Sequence, residues 1–136
     1  MFFSSDVANP DTYPKFYADM QMYTTTMSQP DPDRFMNQYC SWEVATKDNK
    51  WQGRNASRFR NDEYDKLYKD AQGELDPVKR AAMFIKMNEI VVGTENGTII
   101  PVVYRPRAHS RAKVLKADIS GWDSDTWALA RWYKEG

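Results

Sequence analysis

Hydrophobic residues recur at helical spacing shortly after residue 30 and predict a first, short helix. Asp31 and Pro32 supply a side-chain cap and a favourable first helical residue. The apolar stripe that follows consists of Phe35, Met36, Tyr39 and Cys40. Because these positions are spaced as i, i+1, i+4 and i+5, they share one helix face, which we expect to be buried.

Two longer helices are predicted between residues 61 and 92. Asn61 caps the first of them, and Gly73 ends it. Asp76 caps the second, with Pro77 at its first position. The predicted inner faces consist of Tyr64, Leu67, Tyr68 and Ala71 in the first helix and of Ala81, Phe84, Ile85, Asn88, Val91 and Val92 in the second. The short link between them predicts an antiparallel helix pair.

Strands are predicted on either side of the helices. Residues 18–27 alternate loosely and are rich in Thr, Met and Tyr, and residues 99–104 form the most apolar run, "IIPVVY", after an Asn-Gly turn. A strand that is buried on both faces needs neighbouring strands for its backbone groups. We therefore predict an α+β fold in which the helix pair packs on a small mixed sheet.

The segment from 43 to 60 loses the helical period and is predicted to be a long irregular loop. It carries five basic residues and two aromatic residues. Loops of this length in compact domains often carry function. Trp51 could line a cleft or fill the core beneath this loop, and we expect Trp42, just before it, to lie in the core.

Composition excludes some classes of protein. Lys plus Arg equals Asp plus Glu at 19 each, so the net charge is zero. A general nucleic-acid or anionic-membrane binder would carry a basic excess, and no run approaches the length of a membrane span. The 5 Trp, 8 Tyr and 6 Phe suit either a ligand cleft or a small aromatic core. Cys40 is the only cysteine, so no internal disulfide can form.

Candidate catalytic and metal-binding groups are few. His109 is the only histidine, and no Ser or Cys signature surrounds a partner for it. The acidic pair at Asp31 and Asp33 is better explained by helix capping, since the rest of a calcium-binding loop is missing. Asp123 and Asp125 leave open a small enzyme that acts on sugars. We predict no enzyme, no metal and no cofactor.

The order of these motifs resembles the C-terminal part of the bacterial extracellular solute-binding proteins of the peptide, nickel and oligosaccharide ABC-transporter class, family 5. That class has an "N-x-E-Y-D-x-L" helix, a "D-P-x-x-R-x-x-x-F/Y" helix and an "I-P-V/L" strand. The matching residues are Asn61, Glu63, Tyr64, Asp65 and Leu67, then Asp76, Pro77, Arg80 and Phe84, then Ile100, Pro101 and Val102.

The resemblance implies a fragment of a longer, two-lobed protein. Residues 1–98 would be a portion of the C-terminal, ligand-binding lobe, 99–111 a strand that crosses the hinge, and 112–136 a tail that packs on the N-terminal lobe. It also implies export to the periplasm, with the signal peptide outside this chain. The function would be non-catalytic capture of a small polar solute for import through an ABC permease.

The resemblance further implies two groups of ligand-binding residues. The first lies at a strand-to-helix junction and comprises Thr25, Thr26, Met27, Ser28 and Asp31. Peptide binders of the class place an Asp at the position of Ser28 to receive the ligand's ammonium group, and a serine cannot supply that charge-assisted bond. The ligand could therefore be an opine, a sugar conjugate or a modified peptide.

The second group lies in the basic loop and comprises Asn55, Arg58 and Phe59. Arg58 could hold a carboxylate or phosphate, and Phe59 could stack on an apolar group. The alternative for Arg58 is an ion pair with a helix carboxylate on the same lobe.

Two expectations concern the isolated chain. One lobe offers half of the ligand contacts, so binding should be weak or undetectable. Exposed strand edges and tryptophans should drive self-association. The competing hypothesis is a self-contained interaction module that binds a protein partner through its Trp-rich tail.

Overall fold

The computed structural model describes residues 13–15, 18–27, 29–93, 98–104, 106, 108–120 and 126–136. Its helices are α1 (Asp33–Asn37), α2 (Asp62–Gly73) and α3 (Pro77–Val92), and its strands are β1 (Leu115–Lys116) and β2 (Tyr133–Lys134). Short 3-10 turns occur at Tyr13–Lys15, Ser41–Glu43 and Leu129–Arg131. The chain therefore has an α+β composition, as predicted.

The predicted helix pair and its caps are confirmed. The Asn61 side chain accepts a hydrogen bond from the Tyr64 N–H at 2.9 Å at the start of α2. At the start of α3, the Asp76 carboxylate accepts from the Val78 N–H at 2.9 Å and the Lys79 N–H at 3.3 Å. Each side chain satisfies N–H groups that have no partner within the helix, which fixes where the helix begins. The two helices pack against each other.

The core gathers side chains from all three helices and from the loop between α1 and α2. It consists of Met36, Tyr39, Cys40, Phe59, Tyr64, Tyr68, Ala71, Phe84, Met87, Ile90 and Val91. Tyr64 is fully buried, and its hydroxyl donates to the Met36 carbonyl at 2.7 Å. That hydrogen bond satisfies the polar end of a buried aromatic residue and ties α2 to α1.

The inner face of α3 differs from the prediction. Phe84 and Val91 are buried as expected, but Ala81, Ile85, Asn88 and Val92 are exposed, and Met87 and Ile90 take their places. The prediction for those four positions is wrong. The sequence of α3 is apolar on more than one side, so its pattern leaves the buried stripe open until α2 packs against it.

The predicted strands are also wrong within the described residues. Residues 18–27 and 98–104 form no strand there. Ile99 is partly buried against the core, and the other side chains of the apolar run are exposed rather than buried. The described sheet is antiparallel instead of mixed, with Leu115 opposite Lys134 and Lys116 opposite Tyr133. Strand composition marks residues that suit a sheet, but a strand forms only where another strand supplies hydrogen bonds.

The C-terminal residues form a small unit around the two strands. Lys116 and Glu135 make an ion pair at 2.6 Å beside the strand pair. The Arg131 guanidinium lies 4.9 Å from the Trp127 ring centroid, and Trp127 is 48% exposed. Among the described helices of the chain, none combines the length and apolar character needed to cross a membrane. The predicted domain boundaries at residues 98 and 111 remain a prediction.

An ion pair ties the start of α1 to α3. Arg80 donates through Nη1 and Nη2 to the two carboxylate oxygens of Asp31 at 2.7 and 3.0 Å, and through Nε to the Ala71 carbonyl at 3.0 Å. The Asp31 carboxylate also accepts the Asp33 N–H at 2.9 Å. The prediction of Asp31 as the cap and Pro32 as the first helical residue is wrong, because α1 begins at Asp33 and Pro32 is its N-cap. The Arg80 hydrogen bonds, followed by that from Asp33, hold the pKa of Asp31 below its ordinary value of 3.8.

This pair makes part of the stability depend on pH. A depressed folded-state pKa stabilises the fold above the unfolded value and loses that contribution as pH falls through the folded value. We expect Asp31→Asn to lower the free energy of unfolding at pH 7 by less than about 1 kcal/mol, as is usual for an exposed pair. The difference from wild type should shrink below about pH 4.

Urea unfolding followed by Trp fluorescence between pH 7 and pH 3 measures this difference. Asp70→Asn, which removes an exposed carboxylate from α2, is the matched control and should follow the wild-type profile. A deficit of Asp31→Asn that stays constant over this range would contradict the assignment.

Candidate functional site

The loop between α1 and α2 is organised around one buried amide, that of Asn55. This residue is 1% exposed, and its Nδ2 donates to the carbonyls of Tyr39, Cys40 and Phe59 at 3.1, 3.2 and 2.9 Å. Its Oδ1 accepts from the Phe59 N–H at 3.2 Å and the Ser57 hydroxyl at 3.0 Å. Both ends of the amide are therefore engaged within the protein. The predicted ligand contact of Asn55 would require some of these bonds to break.

The backbone around Asn55 closes the loop against the residues that follow α1. The Asn55 N–H donates to the Glu43 carbonyl at 2.9 Å, and the Ala45 N–H donates to the Asn55 carbonyl at 3.3 Å. A Cβ atom on Gly53 would lie 2.3 Å from the Glu43 carbonyl oxygen. Only glycine permits this close approach of two backbone segments, and sequence reasoning missed that role.

Three residues of this loop adopt left-handed backbone conformations without being glycine. Their φ angles are 55° at Lys50, 63° at Trp51 and 59° at Arg58. Such conformations are unfavourable for residues with a Cβ by about 1–2 kcal/mol each. Conformations of this kind persist where surrounding contacts enforce them, and they concentrate at functional sites. Two of the three residues meet on the surface of the loop.

The surface where they meet is a cation–indole cluster, formed by Lys15, Trp51 and Arg58. The Arg58 guanidinium lies 5.7 Å from the Trp51 ring centroid, and the Lys15 ammonium lies 6.0 Å from it. Arg58 also donates a hydrogen bond to the Lys15 carbonyl. Two cations beside one aromatic ring can attract a carboxylate or phosphate while the indole contacts an apolar group.

Arg58 is an exposed residue, and its described contacts bear on the alternative ion pair. Within the described part of the chain it makes no ion pair with a helix carboxylate, and its partners are a carbonyl and an indole ring. The alternative ion pair is therefore absent among the described contacts, and the ligand contact of Arg58 stays a prediction. Lys15 was missed by sequence analysis because it lies far from Arg58 along the chain.

The other predicted ligand residues lie in different environments. Phe59 is 8% exposed and packs edge-on against Tyr64, with ring centroids 5.7 Å apart, so its ring belongs to the core. The Thr25 hydroxyl donates to the Gln38 Oε1 at 3.5 Å, Thr26 is exposed and Met27 is partly buried. Ser28 lies outside the described residues. Asp31 is paired with Arg80, and no described contact joins these residues to Arg58.

Trp42 is not the core residue that was predicted. It is 46% exposed, its Nε1 donates to the Asn37 Oδ1 at 3.1 Å, and the Lys69 ammonium lies 5.2 Å from its ring. Its ring contacts Tyr68 at a centroid distance of 5.7 Å. The side chain thus covers the rim of the core with one face and leaves the other in solvent, as an amphipathic aromatic residue can.

Groups with catalytic or metal-binding potential are sparse in the described ranges, where no three His, Cys, Asp or Glu side chains are grouped as a metal site requires. Burial raises the pKa of the Cys40 thiol to about 12, so the nucleophilic thiolate is not populated near neutral pH. Asp123 and Asp125, the pair behind the sugar-enzyme hypothesis, lie outside the described residues. A shallow depression of about 400 Å³ lies beside Arg80, Phe84 and Pro32, but its charged group is already paired with Asp31.

The Asn55 amide predicts a large loss of stability on substitution. Asn55→Ala leaves the carbonyls of Tyr39, Cys40 and Phe59 without this donor in a buried place, and we expect the free energy of unfolding to fall by about 3 kcal/mol. Urea denaturation monitored by circular dichroism measures this loss. Asn88→Ala, at an exposed position of α3, should stay within about 0.5 kcal/mol of wild type. Equal effects of the two substitutions would contradict the role of Asn55.

The left-handed backbone at Lys50 predicts a substitution that stabilises the protein. Lys50→Gly removes the Cβ that disfavours a φ of 55°, and we expect a gain of about 0.5 kcal/mol after the higher entropy of unfolded glycine is included. Lys47→Gly, in the same turn but without a positive φ, should destabilise by a similar amount. The midpoint of thermal unfolding should therefore move in opposite directions in the two variants, and a shift in the same direction would refute this explanation.

Comparisons with protein-family models, with curated proteins and with solved structures return no match for this chain. The resemblance to the solute-binding class therefore rests on the sequence motifs alone, and the function that it implies is a proposal.

Proposed function

We propose that this chain is part of the C-terminal lobe of a periplasmic solute-binding protein, which captures a peptide or related small polar solute for import by an ABC transporter. The observation that carries the proposal is the cation–indole cluster, a strained and positively charged aromatic surface held by a buried amide. Such a surface suits the anionic end of a solute. The proposed role is binding without covalent chemistry.

The residues that carry the family resemblance also support the proposal, because they act together in the fold. Asn61 caps α2, the Tyr64 hydroxyl binds the Met36 carbonyl, and the Asp65 carboxylate accepts the Ser41 N–H at 2.9 Å. Arg80 joins α3 to Asp31 and to the end of α2. Most of these motif residues hold two elements of the fold together. Proteins that share the motifs are therefore expected to share this arrangement of elements.

The cluster defines which part of the solute this chain would contact. Arg58 supplies a fork of donors that matches a carboxylate, and Lys15 adds a second positive charge beside the same ring. The serine at position 28 stands where peptide binders of the class place an acid for the ligand's ammonium group. In the proposed solute, the anionic end therefore contributes more to binding than a cationic end does.

The rest of the proposal concerns partners and location. The second lobe would close over the solute and supply the other contacts, after export of the whole protein to the periplasm. Delivery to an ABC permease would follow. The single chain offers one side of the cleft, so its own affinity should be low.

A titration of the chain with two small probes tests the ligand surface. We expect trialanine and N-acetyl-trialanine to bind equally, with dissociation constants of about 1 mM or weaker, since no ammonium site is proposed. The Trp51 indole signal in ¹⁵N–¹H NMR spectra should shift on addition of either probe. Arg58→Gln should abolish the shift, whereas Arg60→Gln, the matched control in the same loop, should retain it.

Three results would contradict the proposal of a shared cleft. They are the absence of any shift at Trp51, an equal loss of the shift in both arginine variants, and a sub-micromolar dissociation constant for the chain alone. The genomic sequence upstream of the Met1 codon gives an independent test. An open frame that encodes a signal peptide and a further lobe is expected, and a stop codon directly before Met1 would refute the assignment to a two-lobed protein.

A further inference from the structure

Trp51 lies at the end of a tight turn formed by residues 46–51, here named the Schellman turn. The Trp51 N–H donates to the Thr46 carbonyl at 2.7 Å. Inside that bond, the Lys50 N–H donates to the Lys47 carbonyl at 3.0 Å. This nested pair is the pattern of the Schellman motif, in which the residue before the last is left-handed, as Lys50 is with its φ of 55°. The turn therefore sets the direction in which Trp51 leaves the backbone.

The side chain of Asn49 closes this turn from within. Its Oδ1 accepts from the Thr46 N–H at 2.9 Å, and its Nδ2 donates to the Val44 carbonyl at 2.8 Å. The Asn49 N–H donates to the Thr46 hydroxyl at 3.4 Å, so these two residues bind each other reciprocally, as in a capping box. Both ends of the amide therefore bind residues 44–46, the backbone against which the turn closes.

The Schellman turn has a conformation that its own residues disfavour. Glycine is the usual residue at the left-handed position of this motif, because a Cβ is unfavourable there. Here Lys50 and Trp51 are both left-handed, with φ angles of 55° and 63°. Such conformations persist where surrounding contacts enforce them. The hydrogen bonds of Asn49 to residues 44–46 are contacts of this kind.

Two different amides therefore hold the two halves of the cation–indole cluster. Asn55 binds the N–H and the carbonyl of Phe59 and thereby places Arg58, the residue before it. Asn49 acts on the other half, since it holds the turn that ends at Trp51. The distance of 5.7 Å between the Arg58 guanidinium and the Trp51 ring centroid depends on both.

We propose that Asn49 is a positioning residue of the ligand surface, which holds the Trp51 ring beside the Arg58 guanidinium before a solute binds. The inference rests on the proposed function, in which this surface binds the anionic end of a solute. A surface that is ordered in advance loses less conformational freedom on binding, so its affinity is higher. Both ends of the Asn49 amide are engaged within the protein, so Asn49 acts through Trp51 and not by contact with the solute.

Nuclear Overhauser effects between the Trp51 indole ring and the Arg58 side chain test the positioning role without a ligand. We expect these signals in the wild-type chain and their loss in Asn49→Ala. Gln52→Ala, at an exposed residue of the same loop, is the matched control and should retain them. The backbone amide signal of Tyr64, a fully buried core residue, should be unchanged in both variants, which separates an effect on the turn from unfolding.

The variant Asn49→Asp adds a test by pH. Its carboxylate accepts the Thr46 N–H but cannot donate to the Val44 carbonyl, whereas the protonated acid has both a donor and an acceptor. We therefore expect the Trp51–Arg58 signals of this variant to be weak at pH 7 and restored below about pH 4. The wild-type signals should stay constant over this range. A side chain that only fills space would not produce this recovery.

Titration with N-acetyl-trialanine connects the turn to binding. The Trp51 indole signal reports the bound fraction. We expect Asn49→Ala to raise the dissociation constant at least about fivefold, because the ring and the guanidinium are no longer held together. Gln52→Ala should change the constant by less than about twofold.

The inference would be overturned by Trp51–Arg58 signals that persist in Asn49→Ala, or by the absence of recovery in Asn49→Asp at low pH. Equal binding of the probe by wild type and Asn49→Ala would also overturn it and would leave the proposed function in place. If the wild-type chain binds no probe while Asn49→Ala loses the signals, the proposed ligand surface is refuted and the role of Asn49 in placing Trp51 is supported.

Discussion

The described fold depends on the buried side-chain amide of Asn55. A loop without regular structure has backbone groups that cannot be buried unless something bonds to them. Asn55 supplies both donors and an acceptor at one point, and it joins the residues that end α1 to the residues that precede α2. An aliphatic side chain of the same size would fill the space but leave these groups without partners.

The position of Phe59 follows from this arrangement. Because Asn55 binds both the carbonyl and the N–H of Phe59, the ring is directed towards Tyr64 and completes the core on the loop side. Arg58, one residue earlier, is then forced to the surface in a left-handed conformation. The same constraint that closes the core thereby sets the place of the cation that faces Trp51. Core packing and the candidate binding surface are two consequences of one buried amide.

The exposed apolar side chains of α3 and of residues 100–104 have a different origin. The helix pair buries one face of α3. A second apolar stripe of α3, formed by Val78, Ile85 and Val92, and the side chains of Ile100, Val102, Val103 and Tyr104 remain exposed. Hydrophobic sequence in a segment shows that burial is favourable, but it does not show against what. The sequence predicted a buried strand at 99–104. The described residues contain no neighbouring strand that pairs with it.

The sequence alone determined where α2 and α3 begin, because a cap acts over two or three residues. Asn61 and Asp76 with Pro77 could be recognised from their neighbours, and each makes the predicted hydrogen bond. Asp31 was wrong as a cap, since α1 begins one residue later than predicted, with Pro32 at the N-cap. The α+β composition and the burial of Tyr64 and Tyr68 followed from periodicity in the same way.

Tertiary structure alone decided which stripe of α3 is buried, that Trp42 lies at the surface, and that Lys15 meets Trp51. These outcomes depend on contacts between residues far apart in the chain, for which local spacing carries no signal. The inward position of Asn55 is of the same kind, since an asparagine in a polar loop suits solvent or a ligand until the backbone of other segments surrounds it.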